Sequence, residues 1–273
     1  MLEKMLMDKV NIAIVGHGYV GKAVEYGFNT SSVNQYIIDP IYNKGMETIK
    51  DVKIDVAFVC VPTPFGSDGK IDSSIVEEVV GELKSKNCVI AIKSTVTPDI
   101  VTKLHEENNK VVYNPEFLTE QNALEDFVNP PMHVFGGVNA DTDAVEKLYI
   151  EHSDCKECPV YKTDIVTASM VKYCINSFLA TKVTFMNEMY DVLKAAKGTD
   201  WQTFVKILQT DPRIGKTHMK VPGHDGQRGY AGSCFPKDTN ALAWFAKEIL
   251  NTPFTQLETS IEINEKLRKT NQS

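Results

Sequence analysis

The start of the chain contains a strand, a glycine-rich turn and a helix in immediate succession. Residues 10–15 (VNIAIV) are mostly apolar and β-branched and predict a buried strand. The next six residues form a GxGxxG motif, and residues 22–28 continue with a helical pattern. Such glycines permit a tight turn and close approach of a pyrophosphate, whose charge the helix N-terminus stabilises. The arrangement predicts a βαβ unit that binds a dinucleotide through Gly16, Gly18, Tyr19, Val20 and Gly21.

A second predicted strand, residues 35–38, ends at Asp39. This position is about twenty residues beyond the glycine turn, where an acidic side chain can bind the ribose hydroxyls of a dinucleotide. The same carboxylate disfavours a 2′-phosphate. We therefore expect NAD rather than NADP as the cofactor.

Strand and helix patterns continue to alternate as far as residue 152. Further strands are predicted at residues 55–61, 89–92, 111–113 and 133–138, and helices are predicted between most of them. This alternation predicts an α/β fold with a Rossmann-like, doubly wound parallel sheet in a first domain of residues 8–162. Ligands of such sheets bind at the carboxyl ends of the strands. Thr63, Thr95 and Glu116 follow predicted strands and are candidates for that edge, although all three residue types are also common in turns and caps.

The pattern changes after Lys162. Residues 165–197 form one long helical pattern, and the residues beyond it carry further helical patterns without a strand signal. We therefore predict that an all-helical second domain, residues 163–273, follows the sheet. Within the long helix Lys172 and Asn176 are one turn apart, and a buried amine and amide need polar partners such as a substrate oxygen. The alternative is that Lys172 extends to solvent and Asn176 bonds to the backbone.

Two carboxylates form another candidate pair. Glu116 and Glu120 are four residues apart and would share one face if the segment were helical. On that arrangement they could act as a base and a water-positioning group. The alternative is the solvated first turn of a helix.

One cysteine precedes a helix that is predicted from Asp238 to Leu250. It lies in the stretch Gly229-Tyr230-Ala231-Gly232-Ser233-Cys234-Phe235-Pro236-Lys237-Asp238. Proline suits a first helical position and aspartate suits the first turn. The helix N-terminus and the Lys237 ammonium both favour the thiolate form of Cys234, which is the nucleophilic form. The alternative is a buried structural thiol.

The other cysteines and the overall charge narrow the classes of function. Cys60, Cys88 and Cys174 lie in apolar runs and are predicted to be core residues, and one CxxC pair, residues 155–158, is a weak signal for metal or redox chemistry. Six cysteines in 273 residues do not suggest a disulfide framework. Because that CxxC pair has no second pair of ligands, we expect no metal. Because the N-terminal segment also lacks a signal-peptide core, we expect a cytoplasmic location. The net charge of −7 argues against binding to nucleic acid or an anionic membrane.

NAD combined with a nucleophilic cysteine suggests the oxidation of an aldehyde. Addition of the thiolate to the carbonyl gives a thiohemiacetal, from which a hydride is removed easily, and hydrolysis of the resulting thioester releases an acid. A lysine with an asparagine, such as Lys172 and Asn176, can stabilise the oxyanion.

The ordered set of motifs resembles the nucleotide-sugar dehydrogenases typified by UDP-glucose 6-dehydrogenase, a family that includes the GDP-mannose dehydrogenases. The matching stretches are the glycine turn and residues 61–64 (VPTP), 93–96 (KSTV), 114–118 (NPEFL), 211–215 (DPRIG) and 232–238 (GSCFPKD). The resemblance extends over the N-terminal and central domains of that family and not over its third, nucleotide-binding domain. It implies oxidation of a nucleotide sugar, UDP-glucose first of all, from the C6 alcohol to the uronic acid in two NAD-dependent steps.

The resemblance also implies roles for individual residues. Cys234 is similar to the nucleophile of the family, and Lys172 and Asn176 to the pair that stabilises the oxyanion. The other implied catalytic residues are Asp238 and Thr95, which hold water and relay protons, and Glu120, a general base beside the nicotinamide. The implied substrate contacts are Glu116, Phe117, Leu118, Arg213, Tyr230 and Gly232. Thr63 and Lys237 are implied cofactor contacts. Because Arg213 resembles an arginine that reaches the sugar of a neighbouring subunit, a homodimer or larger homo-oligomer is expected.

Two other functions remain open from the sequence. Two-electron hydroxy-acid dehydrogenases also combine a dinucleotide-binding domain with a helical domain and carry a Lys-xxx-Asn like that of Lys172 and Asn176, but they need no cysteine. The other alternative is an NAD-binding module that requires a separate nucleotide-binding partner chain.

Overall fold

The computed structural model describes residues 9–270, which divide into two compact units. The first, here called the sheet unit, contains residues 9–64 and Asp72–Lys172, and the second, the helical unit, contains Phe65–Ile71 and residues 173–270. The N-terminal segment considered for a signal peptide, residue 8 of the first predicted domain and residues 271–273 of the second lie outside the described residues.

Within residues 9–270, seven strands form one sheet, in the order β2-β1-β3-β4-β5-β6-β7. Their bounds are β1 Val10–Val15, β2 Val33–Ile38, β3 Val56–Val59, β4 Val89–Ile92, β5 Val111–Tyr113, β6 His133–Gly136 and β7 Val160–Thr163. Strands β1 to β5 pair in parallel, which confirms the predicted doubly wound sheet. Strand β6 is antiparallel to β5, and β7 is parallel to β6, so the sheet is mixed at that edge. Strand β7 was not predicted from the sequence, because none of its residues is buried and it has no apolar run.

Helices cover both faces of the sheet. Alternate residues of each strand point to opposite faces, so Ala13 and Val15 pack with helices α2 (Ser74–Leu83) and α3 (Pro98–Glu107). Ile12 and Ile14 pack on the other face with α1 (Tyr19–Gly27), α4 (Ala123–Val128) and α5 (Asn139–His152). Both faces are therefore buried, which explains why the central strands are apolar throughout rather than alternating.

The long helix α6 (Ile165–Ala195) begins in the sheet unit and ends in the helical unit. Its first turns belong to the sheet because Ile165 and Ala168 are buried in the same apolar cluster as the strands. The two units consequently divide at Lys172, inside this helix, whereas the boundary predicted from the sequence lies near Lys162.

The rest of the helical unit consists of α7 (Trp201–Leu208), α8 (Phe235–Trp244), continued by a π-helical turn at Phe245–Ile249, and α9 (Thr255–Thr270). Among the described residues of this unit there is no strand, only an isolated antiparallel bridge between Phe65 and Ile71. Trp201 lies in a small core with Met186 and Met219. Across residues 9–270, none of the helices has the length and apolar character that a membrane crossing requires.

The contact between β6 and the start of α6 can be tested at Gly136. A Cβ at this position would lie 2.5 Å from the Cβ of Ala168 and 2.9 Å from the Cα of Ile165. We expect Gly136→Ala to lower the free energy of unfolding by about 2–3 kcal/mol, as overpacking of a core does. Urea denaturation measures this change.

Gly81 in α2 provides the matched control, because a Cβ there would meet nothing within 4 Å. Gly81→Ala should raise the free energy of unfolding by about 0.5–1 kcal/mol, through helix propensity alone. Equal stability of the Gly136→Ala variant and the unsubstituted protein would contradict the close packing.

Candidate active site

The glycine turn after β1 has the geometry that a dinucleotide requires. Gly16 adopts a left-handed conformation with φ of 87°, and a Cβ there would lie 2.7 Å from the carbonyl oxygen of Cys60. A Cβ at Gly21 would collide with the carbonyl oxygen of Gly16, so this glycine lets α1 pack on the strand. At Gly18, by contrast, a Cβ would meet nothing within 4 Å, which leaves room for a pyrophosphate beside the helix N-terminus at Tyr19 and Val20. The turn therefore fits NAD.

Asp39, which follows β2, is tied to the glycine turn by its carboxylate. Its Oδ2 accepts a hydrogen bond from the backbone N–H of His17 at 2.7 Å, and its Oδ1 accepts one from Ile41 N–H at 2.8 Å. The side chain of His17 lies between Glu25, with Nε2 2.8 Å from Oε2, and the Tyr42 hydroxyl, 3.1 Å from Nδ1. This cluster was not predicted from the sequence, because only the fold brings α1 and the loop after β2 together. An acidic side chain at Asp39 is compatible with a ribose diol and not with a 2′-phosphate.

A buried lysine holds the ends of the central strands together. The Lys93 ammonium donates to the Asn114 carbonyl oxygen at 3.3 Å, to Asn114 Oδ1 at 3.1 Å and to the Tyr149 hydroxyl at 3.2 Å. Asn114 Nδ2 in turn donates to the carbonyl of Val134 in β6. Burial lowers the pKa of Lys93 to about 8. This network was not predicted, since the lysine lies at the end of an apolar strand and its partners are distant in sequence.

The Lys93 network lies at a small pocket lined by residues that include Glu116, Phe127 and His133. Burial and the charge of Lys93 lower the pKa of His133 to about 4. Thr63 and Thr95 lie in the segments after β3 and β4 and are both buried.

Glu116 and Lys172 form a buried ion pair in the sheet unit. Lys172 Nζ donates to Glu116 Oε1 at 2.9 Å and to the Glu116 carbonyl oxygen at 2.7 Å, and Glu116 Oε2 accepts from Leu118 N–H at 2.6 Å. Burial by itself would raise the pKa of Glu116, but the Lys172 charge and these hydrogen bonds lower the pKa below its ordinary value. The ammonium also lies 5.8 Å from the centre of the Phe117 ring. The Lys172 charge and these hydrogen bonds therefore favour the ionised form of Glu116.

Glu116 and Glu120 do not share a helical face, so the helical arrangement considered from their spacing does not form. Glu116 is not in a helix, and Glu120 is the exposed first residue of a short 3₁₀ turn, Glu120–Asn122. The physical reason is local, because the Glu116 carboxylate bonds to the backbone N–H of Leu118 two residues later and so competes with helical hydrogen bonding.

Cys234 is the N-cap residue of α8, which begins at Phe235 and not at the predicted Asp238. Its carbonyl oxygen accepts the Asp238 N–H at 2.8 Å, and its half-buried Sγ lies 3.6 Å from Ser233 Oγ. Gly232 before it has φ of 86°, and a Cβ there would meet nothing within 4 Å. The sulfur is therefore placed at the positive end of a helix dipole, where an anion is stabilised.

A buried carboxylate lies one turn beyond Cys234. Asp238 is 1% exposed, with Oδ2 accepting from Asn176 Nδ2 at 2.5 Å and Oδ1 lying 2.5 Å from the Lys237 ammonium. Its negative charge is thereby matched by one cation and one amide. The carboxylate also orients the Asn176 amide.

Two predicted substrate contacts differ in their exposure. Tyr230 is 5% exposed, and its hydroxyl lies 3.5 Å from Thr239 Oγ1 on α8. Arg213 is exposed and forms a bidentate contact with Asp211 from its own loop. Its guanidinium is therefore on the surface of the helical unit.

The cysteines other than Cys234 were predicted with one error. Cys60 and Cys88 are buried, as expected, but Cys174 is exposed on α6. The prediction for Cys174 was wrong because an apolar run in a helix does not show which face of the helix is buried. The Cys155 thiol donates to the carbonyl of Phe127, and residues 9–270 contain no group of three or more His, Cys, Asp or Glu side chains suited to a metal.

Comparison with known proteins identifies relatives for both units. Two sequence profiles of the UDP-glucose/GDP-mannose dehydrogenase family match, the NAD binding domain over residues 43–153 and the central domain over residues 166–266, and together they cover more than half of the chain. The chain is 38% identical over 198 residues to a UDP-glucose 6-dehydrogenase of Rickettsia bellii, and this alignment covers 69% of this chain and 44% of that protein. It is 31% identical over 302 aligned residues to the UDP-glucose 6-dehydrogenase TuaD of Bacillus subtilis, covering 94% of this chain and 63% of the relative.

A solved structure agrees with these matches. The UDP-glucose dehydrogenase of the hyperthermophilic archaeon Pyrobaculum islandicum superposes with a TM-score of 0.78 at 25% identity, covering 96% of this chain and 69% of that one. The alignments with the two curated relatives from Rickettsia bellii and Bacillus subtilis each span less than two thirds of the relative's length.

The buried ion pair can be tested by neutralising its members in turn. Lys172→Met leaves the Glu116 carboxylate buried without its cation and should cost about 3–5 kcal/mol in the free energy of unfolding. Adding Glu116→Gln to that variant should recover most of the loss, because no charge then remains to be desolvated. Urea denaturation of the two single variants and the double variant measures the coupling, and simply additive losses would disprove it.

The low pKa of His133 predicts a pH-dependent stability. Its folded pKa of about 4 lies below the ordinary value of 6.5, so between these values the unfolded state binds more protons. The free energy of unfolding should therefore fall as the pH drops from 7 to 4.5, and His133→Phe should reduce that fall by about 2 kcal/mol. Urea denaturation at both pH values tests this. The control is His224→Asn, a change at an exposed histidine, which should show the same fall in the free energy of unfolding as the unsubstituted protein.

Proposed function

Because this chain belongs to the UDP-glucose/GDP-mannose dehydrogenase family, we propose that it oxidises the C6 alcohol of a nucleotide sugar to the uronic acid. UDP-glucose is the first substrate to test, with two NAD consumed per sugar. The observation that carries the proposal is Cys234 at the N-cap of α8, one turn before a buried carboxylate that holds Asn176 and Lys237. A hydride transfer between an alcohol and a ketone needs no such nucleophile.

NAD, when bound at the glycine turn, accepts a hydride in each of the two oxidations. The family's NAD binding domain is present in this chain, and the open space at Gly18 and the carboxylate of Asp39 support the binding of the cofactor there. In the proposal Thr63 and Lys237 complete the cofactor contacts.

Cys234 acts in the second oxidation. Its thiolate forms a bond to the C6 aldehyde carbon, and the carbonyl oxygen becomes the oxyanion of a thiohemiacetal. Loss of hydride from C6 restores the carbonyl as a thioester, and water then attacks that carbon and displaces the thiolate to give the carboxylate. The helix N-terminus stabilises the sulfur anion both before the attack and as the leaving group.

We propose further roles for individual side chains. We assign stabilisation of the oxyanion to Lys172 and Asn176, since an ammonium and an amide N–H both donate to a developing negative charge. The carboxylates that fix them, Glu116 and Asp238, keep these donors oriented before the substrate arrives. Thr95 and Asp238 are assigned to the hydrolytic water, and Glu120 to proton abstraction.

The proposal also includes recognition of the sugar and assembly. We assign substrate contacts to the segment of Glu116, Phe117 and Leu118 and to the loop containing Tyr230 and Gly232. Arg213, whose guanidinium is exposed, is assigned to the sugar of a neighbouring subunit in a homodimer. The cytoplasm is the proposed location, since the mechanism requires Cys234 to remain a thiol.

NADH yield tests the proposed function. The purified chain should form two NADH per UDP-glucose together with the uronic acid, measured by absorbance and by mass spectrometry. Cys234→Ser should reduce formation of the acid by a factor on the order of 10³ or more, because the covalent path is lost. Cys174→Ser, which changes an exposed cysteine of α6, is the matched control and should keep the wild-type yield.

Other results would contradict the assignment. NAD binding without NADH from any UDP- or GDP-sugar would disprove it for the chain alone, and activity that appears only with an added nucleotide-binding chain would favour the partner-dependent module. NADH from a hydroxy acid that survives in Cys234→Ser would identify a two-electron dehydrogenase instead.

A further inference from the structure

Two buried amide side chains hold the backbone shortly before Cys234. Asn264 of α9 accepts the Tyr230 N–H through Oδ1 at 2.6 Å and donates from Nδ2 to the Tyr230 carbonyl oxygen at 3.1 Å. Asn187 of α6 accepts the preceding Gly229 N–H through Oδ1 at 3.3 Å and donates to the carbonyl of its own helix at Val183. Asn264 is 8% exposed and Asn187 is 1% exposed. Side chains of two helices therefore form hydrogen bonds with two consecutive residues of the loop, Gly229 and Tyr230.

The loop backbone also approaches the Asn264 side chain closely at Gly229. This residue has φ of 79°, and a Cβ on it would lie 2.5 Å from Asn264 Oδ1. The backbone of the loop thus lies directly against α9, at a distance that only glycine allows. By bonding both the N–H and the C=O of one residue, Asn264 fixes the direction of the peptide as well as its position.

The side chain of Tyr230 carries this constraint to the helix that starts at Cys234. Its ring packs edge-to-face on Phe235, with centroids 6.0 Å apart, and its hydroxyl lies 3.5 Å from Thr239 Oγ1. Thr239 donates to the carbonyl oxygen of Phe235 at 2.7 Å. Phe235 is the first residue of α8 and immediately follows Cys234. A continuous path of contacts therefore joins Asn264 to the position of the sulfur.

We infer that Asn264 is a positioning residue that holds Cys234 at the N-terminus of α8 in its reactive orientation. The inference rests on the proposed function, in which Cys234 is the nucleophile. Asn264 itself need not touch substrate or cofactor. A buried amide costs stability unless both its donor and its acceptor are bonded. Here both bond to a single residue, Tyr230, which packs against the first turn of α8.

The test is the alkylation rate of Cys234, which needs neither cofactor nor sugar. Iodoacetamide labelling, scored for each cysteine by mass spectrometry, compares the wild type with Asn264→Ala. We expect labelling of Cys234 to slow by about tenfold, the effect of losing a well-supported conformation at the helix N-terminus. Labelling of the exposed Cys174 in the same sample should not change, nor should the far-ultraviolet circular dichroism spectrum.

A second variant reaches the same contact from the loop. Gly229→Ala places a methyl group against Asn264 and leaves α9 unaltered, so it should slow Cys234 labelling in the same way and decides the matter if Asn264→Ala does not fold. Glu262→Ala, an exposed change on α9, is the matched control and should label like the wild type. Labelling of Cys234 at or above the wild-type rate in a folded Asn264→Ala or Gly229→Ala protein would overturn the inference, as would an equal change at Cys174.

The outcome is separable from the proposed function. Slower labelling of the variants together with no NADH from the wild type would retain the positioning role and reject the dehydrogenase. NADH from the wild type together with unchanged labelling of the variants would reject the positioning role alone.

Discussion

Burial of negative charge is the constraint on which both candidate clusters depend. Each unit contains a carboxylate that is almost completely removed from solvent, Glu116 in the sheet unit and Asp238 in the helical unit, and each of them contacts a lysine ammonium. Replacing such an arrangement by apolar side chains is often neutral or stabilising, so its presence is poor evidence for a role in stability. What it does provide is a fixed orientation for the donors, because Lys172 and Asn176 are each held by a carboxylate rather than by solvent. Pre-oriented donors are what stabilisation of an oxyanion requires.

The Lys93 network instead buries a positive charge, and no carboxylate is among its hydrogen-bond partners. Its ammonium is bonded to neutral oxygens of Asn114 and Tyr149, and burial accordingly lowers its pKa to about 8. Asn114 precedes the Pro115–Glu116 segment, so the network fixes the start of the chain that carries the Glu116 carboxylate. The ends of β4, β5 and β6 are therefore joined by polar groups at the place where the sheet would otherwise present unsatisfied carbonyls. A buried polar network lowers the stability of the fold unless its groups are hydrogen-bonded, and a bonded network is rigid. The Lys93 network therefore leaves little conformational freedom in the segment that follows Asn114.

What the sequence predicted correctly was local in origin. Three features follow from residues that are adjacent in the chain. They are the strand, glycine turn and helix at the N-terminus, the placement of Asp39, and the position of Cys234 just before α8. What it missed depends on contacts between distant segments. The strand β7 has no buried residue and exists through its pairing with β6, the exposure of Cys174 depends on which face of α6 packs, and the partners of Lys93 come from other strands and helices. The roles of the candidate site residues remain predictions, because their chemistry depends on groups that the local pattern does not contain.

Glu116 illustrates why a short spacing rule fails at such a site. The interval to Glu120 is that of a helix face, yet the carboxylate bonds to Leu118 N–H and to Lys172, and the backbone stays out of the helix until Glu120. A helix across this segment would need the Leu118 N–H for its own ladder and would compete with the bond that holds the carboxylate. Once Glu116 is committed to Lys172, the two glutamates differ in environment, one buried and paired, the other exposed. Two carboxylates in such different surroundings are suited to different tasks, and for this reason we give the orienting role to Glu116 and the proton transfer to Glu120.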